Sequence, residues 1–133
     1  MKSDEQLLTE LTQATDGLLF ISESDYPFET VRWPEQAELT PANLRRLTNH
    51  EADAPIATES IADFFRAAAA EPDWKSAAQL ATARRYLALM RFLQENLADV
   101  RVYRLGRISI AVYIIGRSPD GNWLGLRTRV IET

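Results

Sequence analysis

The sequence contains no cysteine and one histidine, His50, among its 133 residues. The chain therefore forms no disulfide, carries no thiolate nucleophile or cysteine metal site, and needs no oxidising compartment. A single histidine cannot supply a histidine-based metal cluster, and any Ser-His-Asp arrangement would have to use His50. Because His50 follows Thr48 and Asn49 in a polar segment, we interpret it as an exposed, chemically idle side chain.

Long apolar runs and short catalytic fingerprints are also missing. No apolar run approaches about 18 residues, so we expect no membrane-spanning helix. The segment from Met1 to Glu5 is polar and acidic, unlike a signal peptide, and we expect a soluble cytoplasmic protein. No Gly-x-Ser-x-Gly elbow, phosphate-binding glycine loop or dinucleotide fingerprint occurs.

The formal net charge of −4 gives no overall attraction to phosphate backbones or anionic lipid. This charge favours a protein partner with a basic cleft over direct binding of nucleic acid or membrane. We expect no cofactor, and a monomer when the protein is free.

The last third of the chain carries the strongest pattern. Ile108, Ile110, Val112 and Ile114 alternate with Ser109, Ala111, Tyr113 and Ile115, which is typical of a β-strand. The turn residues Ser118 to Gly121 then lead into a second alternating run from Trp123 to Ile131. Val100 to Arg104 predicts a shorter neighbouring strand, and Phe28 to Trp33 predicts a fourth, which Pro34 ends.

Helix signals precede these strands. Ser3 with Gln6 predicts a capping box, Thr40-Pro41 predicts a helix start, and a helix is expected from Thr58 or Ser60 to Ala70. Asp73 is expected to cap the longest helix, which would run to about Leu97. Its inner, apolar face is expected to carry Ala83, Tyr86, Leu87, Met90, Leu93 and Leu97. We predict one domain over residues 1–133: an α/β (α+β) fold in which a three-layer α/β/α sandwich surrounds a mainly antiparallel sheet of about four strands.

Glu23, Asp25 and Glu29 form an acidic cluster directly after the apolar run from Leu18 to Ile21. Three interpretations stay open: a solvated acidic loop, a protein-binding surface, and a carboxylate pair or metal site. Their spacing does not match a calcium-binding loop.

Two further residues are ambiguous. Trp74 is either a core residue, which we favour, or an exposed anchor. Thr133 would ordinarily fray as the last residue, but the preceding strand can carry its carboxylate and hydroxyl on a firm arm.

The segment from Asp16 to Glu29, DGLLFISESDYPFE, closely resembles the early signature of the nuclease A inhibitor family of cyanobacteria. Matching segments follow in the same order: Asp53-Ala54-Pro55, Asp63-Phe64-Phe65, Pro72-Asp73-Trp74, Val102 to Gly106, Val112-Tyr113, Ile115-Gly116 and Val130 to Thr133. The likeness spans nearly the whole chain and departs mainly between Trp33 and Glu51 and along the outer face of the long helix.

This resemblance implies an α/β/α protein that is not an enzyme and that inhibits a sugar-nonspecific, magnesium-dependent endonuclease of the ββα-metal type. It implies that Glu23 engages arginines in the nuclease active site and that Trp74 lies in the interface. It also implies that Thr133 approaches the nuclease-bound magnesium, while the inhibitor holds no metal of its own. We add the neighbours Ser24, Asp25 and Tyr26 as candidate nuclease-binding residues.

The leading hypothesis is therefore a protein that binds and blocks the active site of a nonspecific DNA/RNA endonuclease. A non-enzymatic adaptor of the same fold with a different partner is the alternative. A hydrolase using Glu23 and Asp25 is a third hypothesis, which would need a pocket that joins those acids to His50.

Overall fold

The computed structural model describes residues 2–21, 24–34, 38–51, 53–71 and 75–132. Within these ranges the chain forms four helices and seven strands. The helices are α1 (Asp4–Thr15), α2 (Pro41–Leu47), α3 (Ile61–Ala69) and α4 (Ala77–Asn96). The strands are β1 (Leu19–Ile21), β2 (Asp25–Pro27), β3 (Glu29–Trp33), β4 (Ile56–Glu59), β5 (Ala98–Leu105), β6 (Ser109–Arg117) and β7 (Trp123–Ile131).

The helices begin at hydroxyl side chains that bind their free N–H groups. At α1 the Ser3 Oγ accepts the Gln6 backbone N–H at 3.2 Å, and the Gln6 side chain accepts the Ser3 N–H at 2.9 Å. The Thr40 and Ser60 hydroxyls accept the backbone N–H groups of Asn43 and Asp63 and so cap α2 and α3, which confirms the predicted starts. The prediction for α4 is wrong at its first residue, because Ser76 forms a capping box with Gln79. Asp73, the expected cap, lies outside the described residues.

An antiparallel sheet with the strand order β3-β7-β6-β5-β4 forms the centre of the fold, and β1 pairs with β2 in a separate hairpin. The three strands predicted in the last third of the chain are confirmed. The expected number of about four strands is too low, because the structure adds β4, whose Ile56 lies opposite Leu105. No local pattern predicted β4, since this strand has only four residues and one large apolar side chain.

The strands begin and finish at two opposite ends of the sheet, and we call these ends the terminal edge and the turn edge. At the terminal edge, defined by Ile131, Ser109, Leu105 and Ile56, β7 ends, β6 begins, β5 ends and β4 begins. At the turn edge, β6 and β7 meet at the pair Arg117 and Trp123, where the Gly121 N–H donates to the Ser118 carbonyl at 2.9 Å. The two edges lie about 27 Å apart, which is the length of the nine-residue strand β6.

The prediction that Ile108 lies in the apolar face of β6 is wrong. The strand begins at Ser109, and the Ile108 side chain is 60% exposed. Ile110, Val112 and Ile114 are buried as the alternation predicted.

Buried side chains form two clusters, and the helices divide between them. Residues of α1, α3 and α4 pack in one cluster against sheet residues such as Val112 and Ile114. Leu44 of α2 packs in the other cluster, against Tyr103, Tyr113 and their neighbours. In α4 the structure buries Leu89, whereas the sequence analysis had assigned Leu87, which is half-buried, to the inner face. No helix within the described ranges is long and apolar enough to cross a membrane.

A buried carboxylate joins α1 to the sheet at the turn edge. Asp4 Oδ2 accepts hydrogen bonds from Arg32 Nε at 3.0 Å and from Asn122 Nδ2 at 2.8 Å. Burial acts to raise the pKa of Asp4, but the facing side chains of Ser118, Asn122 and Arg32 outweigh it and hold the pKa below its ordinary value. The ionised carboxylate thus connects α1, β3 and the β6–β7 turn.

Candidate functional site

The hairpin of β1 and β2 presents the acidic segment singled out in the sequence. The chain enters it through Gly17, whose φ of +69° is readily available only to glycine, and through the buried Leu18. The two strands pair from Leu19 opposite Pro27 to Ile21 opposite Asp25. The connection between β1 and β2 therefore lies at the Asp25 end of a short antiparallel ladder.

Aromatic packing fastens this hairpin to the helices. The Phe20 ring stacks on Phe64 of α3 with the centroids 4.5 Å apart, and it meets Phe28 and Tyr86 edge to face. The Tyr86 hydroxyl, carried by α4, donates a hydrogen bond to the Leu19 carbonyl. Burial raises the pKa of Tyr86 to about 12, so this hydroxyl stays protonated and able to donate well into the alkaline range.

The hairpin is also fastened to β7. Thr128 Oγ1 donates to the Pro27 carbonyl at 3.0 Å, and Arg127 Nη2 lies 3.0 Å from Glu29 Oε2. Glu29 is the partner of Arg127 in the ladder, and β2 precedes Glu29 while β7 continues towards Ile131. In antiparallel pairing these directions place β2 beside the last part of β7, so the hairpin lies towards the terminal edge.

The end of β7 is held by backbone and charged contacts. The Glu132 N–H donates to the Ile108 carbonyl at 3.0 Å, which continues the ladder one residue beyond the strand. Arg104 reaches both Glu132 and Glu59, with an Nη1–Oε1 distance of 3.2 Å to Glu59. The Arg104 side chain is only 22% exposed, so this guanidinium ties β4, β5 and the end of β7 together.

The segment Asp53-Ala54-Pro55, which also resembles the inhibitor family, contacts the same edge. The Gly106 N–H donates to the Pro55 carbonyl at 3.1 Å. Arg45 of α2 donates to the neighbouring Ala54 carbonyl from Nε at 3.0 Å and from Nη2 at 2.8 Å. Segments that are far apart in the sequence are thus brought together at the terminal edge.

The structure describes part of the candidate set. Ser24 and Asp25 are exposed, and Tyr26 is half-buried. Glu23, Trp74 and Thr133 lie outside the described residues. Two described residues lie close to these candidates in the chain: Asp25 in the hairpin is near Glu23, and Glu132 after β7 precedes Thr133. Both described residues lie towards the terminal edge of the sheet.

Other candidate chemistry has little support in the described residues. His50 is half-buried and not exposed as expected, and its Nδ1 lies 2.7 Å from Thr48 Oγ1. A groove of about 460 Å³ between α3 and α4 is lined mainly by apolar side chains, and the described residues that line it include no carboxylate or histidine. Within the described ranges, no group of three or more histidine, aspartate or glutamate residues is arranged to hold a metal ion.

The sequence analysis missed the side chains that position the hairpin and the end of β7. Tyr86 had been assigned only to an apolar helix face, and Thr128 and Arg104 had no assigned role. The available signal was chemical: a phenol, a hydroxyl and a guanidinium on otherwise buried faces need polar partners.

No curated protein matches the chain. The family model described as "nuclease A inhibitor-like protein" matches residues 5–133, which is nearly the whole sequence. Membership of such an inhibitor family implies, in general terms, that the partner is a nuclease. The chain belongs to the nuclease A inhibitor-like family.

Proposed function

We propose that this protein binds and blocks the active site of a sugar-nonspecific, magnesium-dependent DNA/RNA endonuclease of the ββα-metal type. The observation that carries the proposal is the family match over residues 5–133. The geometry adds support, because Asp25 and Glu132, next to two candidate residues, lie towards the same anchored edge of the sheet.

The proposed mechanism is competition for the nuclease cleft. A nuclease must hold a phosphodiester with cationic side chains and a metal ion, so fixed carboxylates can occupy the same positions. We assign Glu23 to the arginines of the cleft and Thr133 to the neighbourhood of the magnesium ion. Trp74 is assigned as an apolar anchor of the hot-spot type. These three roles follow from the family resemblance.

A rigid binding surface favours such an inhibitor because ordering a loop on binding costs free energy. The hairpin contacts of Tyr86 and Thr128 fix the chain just before and just after the segment that contains Glu23. Arg104 fixes Glu132, the neighbour of Thr133. These contacts support a surface that is preorganised before the nuclease arrives.

The acidic hairpin would chiefly accelerate the encounter. Ser24, Asp25 and Tyr26 are proposed as contacts around Glu23, and the Asp25 carboxylate is exposed. Opposite charge on a nuclease cleft raises the association rate, and salt weakens this effect. We therefore expect the association rate to fall as ionic strength rises.

Further parts of the proposal concern the protein as a whole. We propose that it is one domain without enzymatic activity, that it is a monomer when free, and that it acts in the cytoplasm. The division of helical residues between two buried clusters supports a three-layer sandwich, with α2 opposite the other helices.

The direct test mixes the purified protein with a magnesium-dependent nonspecific endonuclease and follows plasmid degradation on a gel. We expect cleavage to fall in proportion to the inhibitor and to stop near a one-to-one ratio. Unchanged cleavage at a tenfold molar excess would exclude that nuclease as the target. Recovery of a non-nuclease protein as the specific partner would favour the adaptor alternative.

A further inference from the structure

The turn between β5 and β6 carries an exposed apolar side chain next to the end of β7. Ile108 is 60% exposed, and it is one of two large hydrophobic side chains exposed within the described ranges, the other being Leu19. A single exposed isoleucine is ordinary on a protein surface. Two further features distinguish Ile108: its position beside the end of β7 and the rigid turn that carries it.

Two backbone hydrogen bonds hold this turn from opposite sides. The Ile108 carbonyl accepts the Glu132 N–H at 3.0 Å, and the Gly106 N–H donates to the Pro55 carbonyl at 3.1 Å. Gly106 adopts a φ of +109°, and a Cβ there would lie 2.8 Å from the Ser109 carbonyl oxygen. Only glycine fits this position without strain, and the turn is consequently tight and preorganised.

Charged residues lie next to Ile108 in the chain and in the ladder. Arg107 on the same turn is exposed, and Glu132 pairs with Arg104. Protein interfaces combine an apolar centre with a polar rim, and an apolar side chain that fills a pocket of the partner can act as an anchor there.

We propose that Ile108 is a second apolar anchor for the nuclease, in addition to Trp74, and packs into an apolar depression on the rim of the cleft, beside the site assigned to Thr133. This inference rests on the proposed function. The hydrogen bond between Glu132 and Ile108 fixes the spacing between this anchor and the end of β7. A partner that contacts Glu132 at the end of β7 would therefore also lie next to the β5–β6 turn.

The test measures the inhibition constant of Ile108→Ser against the same nuclease that the wild-type protein inhibits. Burying most of an isoleucine side chain supports an expected loss of about tenfold in affinity. Ile108→Leu should stay within about twofold of the wild type, because it keeps the apolar volume. Arg107→Ser is the matched neighbour and should change affinity less than Ile108→Ser. Thermal unfolding of all variants should stay close to that of the wild type, because both side chains are exposed.

Each other outcome overturns the inference. If the wild type inhibits and Ile108→Ser inhibits equally well, Ile108 is not an anchor, while the proposed function stands. If Arg107→Ser weakens inhibition and Ile108→Ser does not, the turn acts through charge. If Ile108→Ser changes only the oligomeric state in sedimentation, the turn is a self-association contact. If the wild type inhibits no such nuclease, the proposed function fails and this inference fails with it.

Discussion

The hydrogen bond from Tyr86 to Leu19 gives the sharpest test of how the fold positions the hairpin. Tyr86→Phe removes only the hydroxyl, and the ring can keep its contacts with Phe20, Phe28 and Phe65. The change deletes the one polar contact described between α4 and β1 and leaves the Leu19 carbonyl without its donor. Packing and backbone should otherwise stay the same.

The expected cost is about 1 kcal/mol of unfolding free energy, the typical net value of a neutral hydrogen bond. With an unfolding entropy of about 2.1 cal/mol/K per residue, a 133-residue domain should lose roughly 3 to 4 °C in Tm. If the hydrogen bond chiefly orders the hairpin for binding, the nuclease affinity should fall by no more than about fivefold. The loss in binding is thus bounded by the loss in stability.

The assay pairs Tyr86→Phe with Tyr103→Phe. Tyr103 is also buried, but its hydroxyl makes no hydrogen bond with any residue that the structure describes. Thermal unfolding followed by circular dichroism and the inhibition constant would be measured for both variants. Identical stability and inhibition in the two variants would refute the assignment of Tyr86 as the support of the hairpin.

Three further predictions concern the proposed contacts and their supports. Glu23→Ala or deletion of Thr133 should weaken inhibition with little change in Tm. For Glu23→Ala the loss of binding free energy should be about 2 to 5 kcal/mol if its arginine partner is desolvated. A large fall in Tm would show a structural role instead. Arg104→Met should lower the Tm and weaken inhibition together, because it releases Glu132 from β5, whereas normal inhibition by a destabilised variant would contradict that link. Asp4→Asn should cost about 1 to 2 kcal/mol in urea unfolding at pH 7 and leave inhibition unchanged. Because the folded pKa of Asp4 lies below its unfolded value of about 3.9, this stabilisation is present above that pH and is lost as pH falls through the folded pKa. The stability of the variant should therefore depend less on pH below about 4, and parallel curves would contradict the assignment.

Local signals in the sequence predicted most of the elements. Ser3, Thr40 and Ser60 cap helices through contacts within three residues, so their function can be recognised without knowing the fold. The alternation in β6 and β7 was equally clear because each strand has nine residues. The short strand β4 and the start of α4 at Ser76 were missed, since weak local patterns are decided by tertiary pairing.

The candidate site depends on contacts that no local pattern contains. Tyr86 and Leu19 are separated by 67 positions, and Arg104 and Glu132 by 28. Ile108 continued an apolar alternation in the sequence, yet the tight turn at Gly106 leaves it outside the strand. The sequence could indicate which residues resemble the inhibitor family, but only the register of the sheet places their neighbours towards one edge.

The central claim, that the terminal edge faces the nuclease, can be tested by blocking each edge in turn. Because the chain has no cysteine, Asp25→Cys and Pro119→Cys each provide one site for a bulky maleimide, the first towards the terminal edge and the second at the turn edge. Inhibition of the nuclease would be measured before and after labelling of each variant. Labelling at position 25 should abolish inhibition, and labelling at position 119 should leave it unchanged. Full inhibition by the protein labelled at position 25, or loss of inhibition only after labelling at position 119, would contradict the claim.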